Sequence, residues 1–153
     1  MAARYLEGRI MDARMHAVRR SVRVGFRFEP VGTDYRFAEY LDGNANGIRS
    51  ADIAAGLDIQ LAARQFLRDH FTGVSFGLLP NVPDIDDARS LPGTDGVRVG
   101  ASRILTLGPD GSSSSGTLYV HGIRAQYAVR VLGATGRIRV LRYEPGVRQW
   151  IMR

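Results

Sequence analysis

Two stretches carry side chains whose types and spacing could do chemistry. Asp42-Gly43-Asn44-Ala45-Asn46-Gly47 sets oxygen-bearing side chains at alternate positions, with a glycine sixth. Hard cations are held by such oxygens, and the alternation brings Asp42, Asn44 and Asn46 around one point. Gly47 allows the sharp turn, and Asp52 offers a second carboxylate. The pattern then departs from a calcium-binding EF-hand loop. That loop wants an acidic residue twelfth, whereas Asp52 stands eleventh and Ile53 twelfth. Two readings follow: a calcium loop built on Asp42, Asn44, Asn46 and Asp52, or a polar Asx-rich turn that holds no ion.

The second stretch is basic. In a strand over Arg137–Tyr143, Arg137 and Arg139 leave from one face while Ile138 and Val140 leave from the other. Arg130 lies on the preceding strand and Arg124 just before it; Arg142 follows, though alternation turns it to the opposite face. Guanidinium forks match phosphate geometry, so such a cluster could contact a polyanion such as DNA, with Tyr143 or Trp150 stacking on a base. The alternative is that the arginines solubilise an exposed face or pair with Asp and Glu.

Little else points to reactivity. His16, His70 and His121 are scattered without metal-ligand spacing. Asp84, Asp86 and Asp87 could form an acid–base pair, but their proline-rich surroundings favour a solvated acidic patch. The serines at 112–115 have no G-x-S-x-G around them, and Gly133-Ala134-Thr135-Gly136-Arg137 lacks the Gly-Lys-Ser/Thr ending of a phosphate-binding loop. No enzyme is expected.

The elements that position these residues can be read from periodicity. Tyr5 to Arg20 reads as a helix, with Leu6, Ile10, Ala13 and Ala17 at helical spacing and Met11, Met15 and Val18 widening the stripe. Ser21 to Glu29 alternates, with Val22, Val24, Phe26 and Phe28 on one face; Gly25 marks a bulge or a close backbone approach. Tyr35 to Leu41 is its hairpin partner. Ile53–Asp58 is expected as a short strand, Ile59–Phe71 as a helix and Val74–Leu79 as a strand. Residues 80–96 form a long proline-rich loop. Four strands then follow at Ile104–Leu107, Thr117–His121, Ala125–Leu132 and Arg137–Tyr143, punctuated by glycine-rich turns. Alternating strands with short turns and one amphipathic helix predict an α+β domain, an N-terminal helix packed on antiparallel sheets.

Composition limits the classes further. At 153 residues with 44% hydrophobic content, the chain is most simply one globular domain. It carries a net charge of +6, and its 21 basic residues are all arginine. Base composition of the gene accounts for that, and composition alone favours this reading over a polyanionic partner. There is no cysteine, hence no disulfide framework. No apolar run approaches the roughly 20 residues that span a bilayer, and Met1-Ala2-Ala3-Arg4 lacks a signal-peptide core.

The order of segments resembles a known family. A strand, the turn Gly108-Pro109-Asp110-Gly111, a Ser/Gly run, then GTLYV, AVRVL and TGRIRV are similar to the C-terminal half of GspH/FimT minor pseudopilins. Upstream, YRFAEYLDGNANGIRSADI and FTGVSFGLLP continue the likeness, which runs from the first helix to the end. The resemblance implies a pilin-like fold, with residues 1–20 the end of the long pilin helix and 21–153 a β-rich globular domain. It implies a non-enzymatic subunit that assembles with other pilins in a type II secretion pseudopilus or a type IV pilus. It implies a membrane-anchored place in the bacterial inner membrane and periplasm, or in a surface filament. The anchor would be a hydrophobic helix preceding Met1, so this chain is expected to be a soluble fragment. No cofactor is implied. Some FimT-like members bind DNA through a G-R-x-R motif, here Gly136-Arg137-Ile138-Arg139, and this gives an alternative role in DNA uptake.

Overall fold

The computed structural model describes residues 1–87 and 95–153. Its helix α1 (Ala2–Arg20) buries Ala2, Ala3, Leu6, Ile10, Ala13 and Ala17, one stripe at helical spacing. The helix stops because Ser21 turns left-handed at φ 52° and its N–H caps the last turn. Arg19 and Arg20 sit in that turn, where cations complement the helix dipole.

Among the described residues eleven strands follow, with a short helix between them. They are β1 (Val24–Val31), β2 (Asp34–Leu41), β3 (Ile59–Gln60), β4 (Gln65–Phe66), β5 (Ser75–Phe76) and β6 (Val97–Arg98). Then come β7 (Ile104–Leu107), β8 (Gly116–His121), β9 (Gln126–Leu132), β10 (Arg137–Glu144) and β11 (Gln149–Met152). The short helix, α2, spans Ser50–Ala54 between β2 and β3. One sheet runs β3-β2-β1-β7, with β4 also on β2; the other runs β11-β10-β9-β8-β5, with β6 also on β8. Every pairing is antiparallel. The α+β expectation holds: an N-terminal helix packs on antiparallel sheets.

The main core lies where α1 meets both sheets. Its stripe packs with Val24, Phe26 and Phe28 of the first sheet and with Val129, Val131 and Val140 of the second. The sheets are also joined directly. Phe76 of β5 meets Phe28, Tyr35 and Phe37 edge-on at 5.6, 6.2 and 5.9 Å. Such edge-to-face pairs add to the burial of the rings themselves. Asp34, buried at the β1–β2 turn, accepts the Phe76 N–H at 3.0 Å and so fixes that junction. Gly25 is a close approach: a Cβ there would lie 3.0 Å from Ile48 and 3.1 Å from the Leu105 carbonyl.

The sequence reading needs correction between residues 50 and 79. The expected strand at Ile53–Asp58 is in part helix α2, which then runs into a turn. The expected helix at Ile59–Phe71 is β3, β4 and a single 3-10 turn at Leu67–Asp69. There Gln65 and Phe66 pair with Phe37 and Arg36 on the β2 edge, so tertiary pairing overrides local helix propensity. The Val74–Leu79 strand shrinks to β5, and β11 extends the second sheet beyond the predicted strands. Of the 80–96 loop, residues 88–94 lie outside the described residues. Among those described, no helix is long and apolar enough to cross a membrane.

Phe76 bridges the sheets and is 1% exposed. Phe76→Ala should therefore cost about 3–5 kcal/mol, read as a fall in the urea midpoint at unchanged slope. A loss below about 1 kcal/mol would mean that the sheets do not depend on this contact.

Candidate functional site

The face of the second sheet that turns away from α1 holds most of the arginines singled out above. Arg139 pairs with Arg130 across β10 and β9, and Arg137 pairs with Leu132 at the hairpin end. Ile138 and Val140 turn to the core, so Arg137 and Arg139 point outward as the alternation requires. Arg137 is exposed and Arg139 half-buried, and neither makes an ion pair among the described residues.

The rest of the expected cluster is dispersed. Asp86 holds Arg130 at 2.9 Å. Arg142 leaves from the α1 side, stacks on Tyr127 at 5.8 Å and lies 3.6 Å from Glu144. Arg124 belongs to the opposite end of the sheet. Tyr127 faces Arg142 and Leu132 faces Arg137, five residue steps apart, which is about 17 Å.

The two aromatics suggested as base-stacking groups are also engaged. Tyr143 is 8% exposed, and Trp150 donates its indole N–H to the Pro83 carbonyl at 3.1 Å. Both pack with Tyr119 in a second, smaller core. The 78–87 segment closes over that core. Gln126 fixes it, accepting the Leu79 N–H at 2.7 Å and donating to the Gly77 carbonyl at 3.0 Å. The Tyr119 hydroxyl accepts the Ile85 N–H at 3.0 Å; burial raises its pKa. Asp84 pairs with Arg98 and Asp86 with Arg130, so acidic loop residues neutralise part of the basic face.

The hairpin that presents Arg137 is clamped from behind. Arg14 of α1 donates to the Gly136 and Thr135 carbonyls, both at 3.1 Å. Gly136 has φ 66°, and a Cβ there would fall 2.4 Å from the Gly111 carbonyl. The serine run is part of the same support. Ser113 N–H donates to the Gly133 carbonyl, Ser114 N–H to the Thr106 carbonyl, and the Ser115 hydroxyl accepts the Gly133 N–H. The 108–116 stretch is a tight crossover from β7 to β8. No signal in the sequence marked Arg14 for this task.

A clasp at the first sheet involves Asp95. It accepts from the Tyr35 hydroxyl and from Arg103 at 2.8 Å, and takes the Val97 N–H at 3.1 Å. Burial works to raise the Asp95 pKa, but these donors outweigh it and the net shift is downward. Burial, then the neighbouring Asp95, raises that of Tyr35.

At the Asp42 loop the carboxylate is turned inward, 5% exposed. It accepts the Asn44 N–H at 3.3 Å and the Gly47 N–H at 2.7 Å, one on each oxygen. Asp58, 2% exposed, accepts the Gly43 and Arg49 N–H groups. Asn44 and Asn46 are exposed, and Asp52 lies on α2. Among the described residues no group of three or more His, Asp or Glu side chains gathers as cation ligands. The loop closes as an Asx-type turn on backbone N–H donors, with Asp58 a stabilising residue that sequence reading missed.

Compared with known proteins, the chain matches no family model, and no curated protein or solved structure matches it significantly.

Because Asp42 already serves backbone donors, Asp42→Ala should destabilise the protein by about 1–3 kcal/mol in chelator and in calcium alike. A melting temperature that rises with calcium in the wild type, and not in Asp42→Ala, is the opposite result and would define a cation site.

Proposed function

We propose that this chain is the globular part of a GspH/FimT-type minor pseudopilin or minor pilin, working by assembly with other pilin subunits at a bacterial envelope filament. The reading starts from the ordered resemblance of segments. The observation that carries it further is the free side of α1. Met11, Met15 and Val18, expected to widen the buried stripe, are 51%, 55% and 49% exposed instead. With Arg14 and Arg19 they line a shallow groove of about 270 Å³. Apolar side chains left along a helix that already has its core contact suit packing against another subunit's helix. In this reading the hydrophobic part of the pilin helix precedes Met1 and supplies the membrane anchor.

These 153 residues contain no cysteine, so a single one introduced here reports on its own position. In cells that make the whole filament system, Met15→Cys should form crosslinks to another subunit through a short bis-maleimide. Met15→Lys should leave the unfolding free energy within about 0.5 kcal/mol of wild type and stop assembly. Crosslinks that form only from a cysteine on the far side of the domain would displace the reading.

A second reading, DNA capture in uptake, is favoured by one specific observation: Arg137 and Arg139 project together with no carboxylate partner among the described residues. Duplex DNA offers phosphates that such a pair can neutralise. Anisotropy titrations across a salt series should then give a steep slope, and Arg137→Ala/Arg139→Ala should reduce it by about two. Equal slopes for both proteins would remove DNA from consideration at this face.

A further inference from the structure

The second sheet has another end, and its chemistry differs from that of the Arg137 hairpin. The β8–β9 turn spans 122–125 and the β10–β11 turn spans 145–148. Since β9 and β10 are neighbours, both turns close at the same edge of the sheet. Their centres lie two strand spacings apart, about 10 Å.

Each turn presents the same pair of residue types at its tip. Ile123 is 89% exposed and is followed by Arg124; Val147 is 58% exposed and is followed by Arg148. Ile123 is the most exposed large hydrophobic residue described. Arg148 is held at φ 52°, a left-handed conformation that few non-glycine residues adopt. Neither Arg124 nor Arg148 makes an ion pair among the described residues. The nearby carboxylate, Glu144, is occupied by Arg142 at 3.6 Å and Arg153 at 3.3 Å.

We infer that these paired tips dock on the surface of an anionic lipid bilayer. An aliphatic side chain at the extremity of a turn has no protein surface to cover it, but it can enter the boundary between headgroups and acyl chains. An arginine beside it then lies at the depth of the lipid phosphates, where its fork is matched in charge and geometry. Two such tips about 10 Å apart would hold the sheet end-on to the membrane. A nucleic acid would use the arginines and leave Ile123 and Val147 without a partner, so the aliphatic pair selects the bilayer. The inference uses neither the α1 groove nor Arg137 and Arg139, and stands or falls apart from both readings above.

The test is co-sedimentation of the full chain with vesicles of equal parts phosphatidylglycerol and phosphatidylcholine, beside vesicles of phosphatidylcholine alone. Wild type should bind the anionic vesicles, weakening as salt is raised, and should leave the neutral ones in the supernatant. Arg124→Gln/Arg148→Gln should lower partitioning roughly thirtyfold, the loss expected for two arginines near an anionic surface. Ile123→Ser/Val147→Ser should also lower it, with an unchanged melting temperature because both sites are exposed. Arg137→Ala/Arg139→Ala should bind as wild type. No binding by wild type overturns the inference. So does an aliphatic double variant that binds normally, which would leave only an unspecific charge contact, or a loss confined to the Arg137/Arg139 variant.

Discussion

The fold depends on a narrow strip of small and aliphatic side chains along α1. Ala13 and Ala17 are at most 2% exposed and have almost no side chain to hold the helix away from the sheets. Close approach lets one helix touch β1 and β7 of one sheet and β9 and β10 of the other. Neither sheet buries its α1-facing apolar side without the helix, although each also carries a smaller core on its opposite face, around Tyr40 and Ile104 in the first sheet and around Tyr119 and Tyr143 in the second. The helix therefore decides how the two sheets are related. It also decides where the Arg137 hairpin lies, because Arg14 leaves the same helix to hold the Thr135 and Gly136 carbonyls.

That coupling explains why the crossover from β7 to β8 is made of serine and glycine. The segment must run beside the Gly133–Gly136 turn, and its hydroxyls and N–H groups must replace ladder hydrogen bonds there. Ser114 serves Thr106 with both its hydroxyl and its N–H, while Ser115 serves Gly133. Larger side chains would push the hairpin off the helix. Low complexity here reflects close packing between two sheets, where composition alone suggests a flexible turn.

Periodicity made much of this legible in the sequence. The Val24-Phe26-Phe28 face, the Leu6-Ile10-Ala13-Ala17 stripe and the outward Arg137 and Arg139 all follow from a repeat of 2 or 3.6 residues. Legibility failed where pattern was not what decided. Residues 59–71 carry good helix formers, yet the β2 edge captures two short pieces as strands. Met11 and Met15 looked like core because hydropathy cannot say how wide a stripe the sheets will cover. The arginine cluster was half right, since register fixes which face a residue takes but not which carboxylate a distant loop will bring. Asp86 reaches Arg130 from 44 residues away, and no local signal announces it.

Charge placement is the last step. A net charge of +6 says nothing about where the excess lies. Much of it is cancelled locally: Glu29 takes Arg36 and Arg64, Asp34 takes Arg68, Asp95 takes Arg103, and the acidic loop takes Arg98 and Arg130. On the second sheet the arginines left without a carboxylate among the described residues stand at opposite ends of the same strands. Arg137 and Arg139 stand beside the hairpin held by α1, and Arg124 and Arg148 stand on the far turns beside Ile123 and Val147. Paired acids in between keep the two patches electrostatically separate, at a distance beyond the roughly 8 Å screening length of physiological salt. One sheet thus carries two distinct positive ends. At the far end the strands' own turns set uncovered aliphatic side chains beside the unpaired arginines, whereas the near end borders the α1 groove of Met11, Met15 and Val18, so the two ends are built for different surfaces.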